Sequence, residues 1–193
     1  MSTASLDLRA IFVAVVQVLT EEEIPHAFIG ALPVLAWGRV RATTDIDLVV
    51  TVRNSWDRLA AALARHGITQ RKQIGPAEAT DALPDVAVFF SSGDMPVRVD
   101  VFIAKTDFER VVIDTTRVAE VFGVTVRLAR PEASIVYKLL AQRRRDLDDV
   151  DAIFEARQAA GERLDWAFLE VWANAWGIAE RLAPYKASYG PPS

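Results

Sequence analysis

The sequence predicts an α+β (mixed α/β) fold, in which a mixed sheet flanked by helices is followed by a C-terminal helical bundle. Two observations predict it. Up to Leu128, short apolar runs with period-two alternation are interleaved with helical stretches. From Pro131 onward, apolar residues recur at helical spacing only. A third observation sets the scale: 193 residues, 51% of them hydrophobic, suit one domain, or one domain with a small appendage. The shift at Ala129-Arg130-Pro131 divides the chain into an α/β core over 1–129, a helical region over 130–184 packed on that core, and a loose tail over 185–193. The helical part is small for an independent core.

The elements follow in order. Leu8, Ile11, Phe12, Val15 and Leu19 recur at helical spacing and predict a helix from Ser5 to about Glu22. Pro25 breaks the chain, and Ala27-Phe28-Ile29 reads as a buried strand ending at Gly30. A short helix with Pro33 near its first turn runs to Gly38. Asp45 to Val52 reads as a strand, and Asn54 or Ser55 caps a helix from Trp56 to Arg65 that stops at Gly67. Ile68 to Ile74 reads as a strand, and Gly75 to Pro84 as a loop or lid. Val86–Phe90 and Val97–Ile103 predict a hairpin, and Arg117–Phe122 and Val124–Leu128 a second pair around Gly123. Three helices complete the chain, at Pro131–Gln142, Asp146–Ala160 and Asp165–Leu182.

Composition removes several functions. There is no Cys and only two His, so disulfides, thiolate zinc sites and cysteine nucleophiles are excluded. The net charge of −4 argues against a polycationic nucleic-acid coat. No stretch has the length of a membrane span or the flanks of a signal peptide, so the expected location is cytoplasmic, with no membrane partner. Carboxylates, hydroxyls, Lys and Arg remain to do any chemistry.

The most informative stretch is Arg41-Ala42-Thr43-Thr44-Asp45-Ile46-Asp47-Leu48-Val49-Val50. Two residues apart on a strand, Asp45 and Asp47 share a face at about 7 Å between Cα atoms. Oxygen ligands converging from a rigid strand suit Mg²⁺ or Mn²⁺. Asp100 lies in a second strand, Arg98-Val99-Asp100-Val101-Phe102. If the strands adjoin, three carboxylates can hold two metals for in-line displacement at phosphorus. Against this, Asp-x-Asp on a half-exposed strand is usually a solvated face, although Asp is depleted in strands. Gly30, between a strand and a helix, lets backbone approach a phosphate. Arg41 is a candidate to contact phosphate or to fix a carboxylate.

Gly30, Asp45 with Asp47, and Asp100 stand in an order that resembles the nucleotidyltransferase superfamily, the polymerase-β-like fold. The approach from Arg41 and Thr43 into Asp45-Ile46-Asp47 is similar to the AbiEii-type nucleotidyltransferases, which include toxins of toxin–antitoxin systems. So is the later run of Lys138-Leu139-Leu140-Ala141 followed by Arg143-Arg144-Arg145-Asp146-Leu147-Asp148-Asp149. The resemblance covers roughly Ala27 to Ile153. It implies metal-dependent transfer of an NMP from an NTP to a hydroxyl, such as an RNA end or a protein side chain, and a cognate antitoxin as partner. By the same match Asp45, Asp47 and Asp100 are the metal ligands, and Lys138 meets the nucleotide phosphates with Asp146 positioning it. Gly30, Ala31, Arg41 and Thr43 line the nucleotide. One departure is Ala31, where the family has a second Gly or a Ser; the hydroxyl is absent while the backbone N–H remains. That departure motivates the alternative of a non-catalytic nucleotide-binding or protein-interaction member. A DxD glycosyltransferase ranks lower, because its motif usually lies at a strand end.

Overall fold

The computed structural model describes residues 3–75 and 85–191. The first half contains α1 (Thr3–Glu21), β1 (His26–Ile29), α2 (Ala31–Trp37), β2 (Asp45–Val50), α3 (Trp56–Arg65), β3 (Ile68–Ile74), β4 (Val86–Ser91), β5 (Arg98–Ile103), α4 (Asp107–Asp114), β6 (Arg117–Val121) and β7 (Val124–Leu128). The second contains α5 (Pro131–Ala141), α6 (Arg144–Ala159), α7 (Trp166–Ala175) and α8 (Ala179–Tyr189). The strands form a mixed sheet in the order β3-β4-β5-β2-β1-β7-β6. β2 runs parallel to β5, and β1 parallel to β7; the other neighbours are antiparallel, including both predicted hairpins.

Alternation along β2 positions the site. Ile46, Leu48 and Val50 are buried, and Leu48 pairs with Phe28 of β1, whose ring lies 5.1 Å from Phe12 of α1. That face is therefore sealed by α1, and period two sends Asp45 and Asp47 to the opposite face. Trp37 fixes α2 against the end of β7, its indole nitrogen donating to the Ala129 carbonyl at 2.8 Å.

Several elements depart from expectation. α4 was not anticipated, although Thr106 and Glu109 form a capping box at its start. Ser55 stands at the N-terminus of α3, but its hydroxyl donates to the Val52 carbonyl instead of capping. α6 begins at Arg144, two residues before Asp146, because the Asp146 carboxylate reaches back to the backbone N–H of Arg143. The single helix expected over Asp165–Leu182 is two helices, α7 and α8, broken at Gly177 with φ of 66°. α8 also runs into the expected tail as far as Tyr189. Tyr185 and Tyr189 hold it there, each stacked 5.0 Å from the buried ring of Phe154. Apart from Gly75, the predicted lid lies outside the described residues. Among the described residues no helix is long and apolar enough to cross a membrane.

Candidate active site

The expected carboxylates are brought together by strand register. β2 and β5 pair Asp47 with Asp100 and Asp45 with Arg98, while β1 places Ile29 opposite Asp47. Lateral partners on adjacent strands lie about 5 Å apart. Asp45, Asp47, Asp100 and Arg98 therefore form a square on one face of the sheet. Gly30 follows Ile29 directly, with φ of 69° and ψ of −122°, a conformation open essentially to glycine. A Cβ built there would overlap the Asp47 carboxylate. Gly30 thus serves both the turn and the close approach, and Ala31 is buried at the start of α2.

Electrostatics follow from this crowding. Burial, then the charges of Asp45 and Asp100, push the Asp47 carboxyl up to about 7; Lys138 and Arg98 pull the other way. Thr43 donates its hydroxyl to Asp45 Oδ1 at 2.9 Å. Arg98 Nε donates to Asp100 Oδ1 at 2.7 Å, and that bond, with the surrounding carboxylates, holds the guanidinium charged.

Lys138 of α5 is buried, with Nζ 2.9 Å from Asp146 Oδ1 and 3.0 Å from Asp149 Oδ2. Burial works to raise the Asp146 carboxyl, but hydrogen bonds from Arg143 and Lys138 outweigh it and hold Asp146 below the usual carboxylate range. Arg41 fixes a carboxylate: its Nε lies 3.2 Å from Asp149 Oδ1, which Arg39 also reaches at 3.3 Å. Sequence reasoning missed Arg98, Arg39 and Asp149. The signals were present: Arg98 is two residues from Asp100 on one strand face, and Asp149 lies one helical turn beyond Asp146.

The donor set suits a hard cation, and unbalanced negative charge at Asp47 favours one. The expected cage of Asp45, Asp47 and Asp100 is nevertheless not closed. Among the described residues no three His, Cys, Asp or Glu side chains converge to hold an ion. The Arg98 guanidinium already engages Asp100. Asp45 and Asp47 remain a fitting pair, because Mg²⁺ commonly binds one or two carboxylates and completes its shell with substrate phosphates and water.

The sheet thus carries paired Asp residues on a central strand and a third Asp on its parallel neighbour. The chain belongs to the family described as nucleotidyl transferase of unknown function (DUF2204), whose model matches residues 8–177. Solved structures share the fold. The solution structure of the antibiotic-resistance factor ANT(2'')-Ia is 17% identical with a TM-score of 0.57, over 95% of this chain and 97% of that one. The same factor in complex with adenylyl-2''-tobramycin is 17% identical with a TM-score of 0.57, over 88% and 97%. An antigenic nucleotidyltransferase-like protein from Paracoccidioides brasiliensis is 19% identical with a TM-score of 0.54, over 90% of each chain. Comparison with curated proteins finds no match.

Proposed function

We propose that this nucleotidyltransferase moves an NMP from an NTP to a hydroxyl acceptor, with Mg²⁺ or Mn²⁺ held by Asp45 and Asp47 and completed by the phosphates. The observation that carries this reading is the shared face of Asp45, Asp47 and Asp100 beside the Gly30 turn. Bound there, the cation supplies charge neutralisation and Lewis acidity at phosphorus. Gly30 and Ala31 offer backbone to the phosphates, and Lys138, aimed by Asp146 and Asp149, presents positive charge toward them. Arg41 and Thr43 hold the approach to β2 in place, through Asp149 and Asp45. Asp100, oriented by Arg98, accepts the proton of the acceptor hydroxyl. The acceptor oxygen forms its bond to the α-phosphorus as the bond to the pyrophosphate oxygen breaks. Catalysis is then mainly positioning and charge stabilisation.

Asp45→Asn tests this: labelled-NTP transfer is expected to vanish while circular dichroism stays native. Undiminished transfer by the folded variant would sink the metal role.

The AbiEii-like sequence features support an RNA end or protein side chain as acceptor, and with it a cytoplasmic toxin neutralised by an antitoxin. Relatives such as ANT(2'')-Ia support a small-molecule hydroxyl. Incubation with each labelled NTP, Mg²⁺ or Mn²⁺, total RNA and total protein reports what becomes labelled. Ala31 favours a second reading, a member that binds nucleotide without transferring it. Calorimetry with Mg-NTP beside the transfer assay separates the two, since binding without transfer favours the second.

A further inference from the structure

The carboxylate face carries a fixed cation of its own. Strand register sets Arg98 beside Asp45 and Asp100 beside Asp47, so the fourth corner of the square is a guanidinium. A two-metal site holds its ions about 3.5–4 Å apart and needs carboxylates free to be shared between them. Here Arg98 Nε already engages Asp100 Oδ1 at 2.7 Å. Among the described residues no three acids converge on one point.

An exposed ion pair is commonly worth little. Arg98 differs in its surroundings. Its partner is nearly buried, the Asp100 side chain being 11% exposed against 48% for Arg98. The hydrogen bond from Asp100, then the charges of Asp100, Asp45 and Asp47, all hold its proton in place. The other cations around the site are committed elsewhere. Lys138 and Arg143 engage Asp146, and Lys138, Arg39 and Arg41 engage Asp149. A guanidinium also keeps its charge at any working pH and offers a rigid fork of donors, of which Nε is spent on Asp100.

Resting on the transfer reading above, we propose that the site works with one divalent cation, held by Asp45 and Asp47, and that Arg98 supplies the positive charge a second would bring. Arg98 is then a positioning residue for Asp100 and a built-in counter-charge. The acceptor hydroxyl gives its proton to Asp100 and its oxygen bonds to the α-phosphorus. The electron pair of the breaking bond leaves with pyrophosphate. Because the charge belongs to a side chain, it is present at any cation concentration.

The test uses the full chain with an NTP whose oxygen between the α- and β-phosphorus is replaced by methylene, which blocks turnover. With protein in excess of nucleotide, electron paramagnetic resonance counts the Mn²⁺ bound per complex. The parent is expected to hold one. Arg98→Gln, which frees Asp100, is expected to hold two and to show the spin coupling of a close Mn²⁺ pair. Two in the parent overturn the proposal, because the guanidinium has then given way. One in Arg98→Gln overturns it as well, since Arg98 then excludes nothing. Circular dichroism checks that the variant is folded, and the parent count is decisive without it. Labelled-NTP transfer is the second readout. Arg98→Gln is expected to lose about a hundredfold at limiting Mg²⁺ and to recover about ten-fold in excess Mg²⁺, a rescue that a merely structural role would not allow. Transfer unchanged by the substitution overturns the counter-charge. Two Mn²⁺ in a parent that still transfers overturn this assignment alone. A parent that neither binds Mn-nucleotide by calorimetry nor transfers overturns the transferase reading, and this assignment with it.

Discussion

Gly30 carries two demands at once, a backbone conformation closed to side chains and an approach to Asp47 that leaves no room for a Cβ. Gly30→Ala is therefore expected to lower stability by about 1–3 kcal/mol in urea unfolding, the usual cost of such a conformation. It should also displace Asp47 and weaken Mg-NTP binding by calorimetry. Asp47 makes a pH prediction whose sign is fixed. Its carboxyl is raised from 3.8 to about 7 in the folded state, so between those values the folded protein holds a proton that the unfolded chain has released. Without divalent cation, stability contributed by this group is present below about pH 4, falls as pH rises, and is lost above about pH 7. Thermal melts near pH 5 and pH 8 check this: the parent should lose more stability across the interval than Asp47→Asn. Mg²⁺ with nucleotide should restore more at the higher pH. The Asp-Ile-Asp run was legible in the sequence because period two leaves little choice of face. Arg98 was not, because its place beside Asp45 is set by a pairing between strands some fifty residues apart in the chain.

At the scale of elements, α5 and α6 are joined by a buried charge cluster rather than by apolar packing alone. Lys138 stands between Asp146 and Asp149, both fully buried. Removing the cation takes away the one ammonium that two buried carboxylates share, leaving Asp146 to Arg143 and Asp149 to Arg39 and Arg41. Lys138→Met should therefore destabilise the fold by about 3–5 kcal/mol in chemical denaturation, in addition to its effect on transfer. The sequence suggested Lys138 with Asp146 and passed over Asp149, whose role depends on a third element. Arg39 and Arg41 arrive at it from the segment between α2 and β2. The same limit explains the C-terminal helices. Apolar spacing reads continuously from Asp165 to Leu182, and only the left-handed Gly177 turns the chain. α4, eight residues long, was signalled by its capping box but lacks the length at which periodicity speaks clearly.

Across the whole molecule, Phe154 ties the second half together, stacking on Trp166, Tyr185 and Tyr189 from both terminal helices. α8 in turn supports α5, with Arg181 donating to the Leu139 carbonyl at 2.8 Å. Phe154→Ala should cost about 3–5 kcal/mol by urea unfolding and loosen α7 and α8, read as a shift in Trp emission. The change in period at Pro131 was plain in the sequence, whereas this stack was not, since alternation says which residues are buried but not which ring meets which. The sheet order has a further consequence, in time rather than space. β1 is made early, yet one of its edges is completed only by β7, Phe28 pairing with Leu128. The Trp37 indole likewise waits for Ala129. On the ribosome, the strand leading to Gly30 must therefore keep one edge unpaired while about a hundred further residues are added, which makes for slow closure. Lys138 and Asp149 emerge later still. The carboxylates of β2 and β5 thus emerge, with the strands that pair them, before the Lys138 ammonium is secured between Asp146 and Asp149.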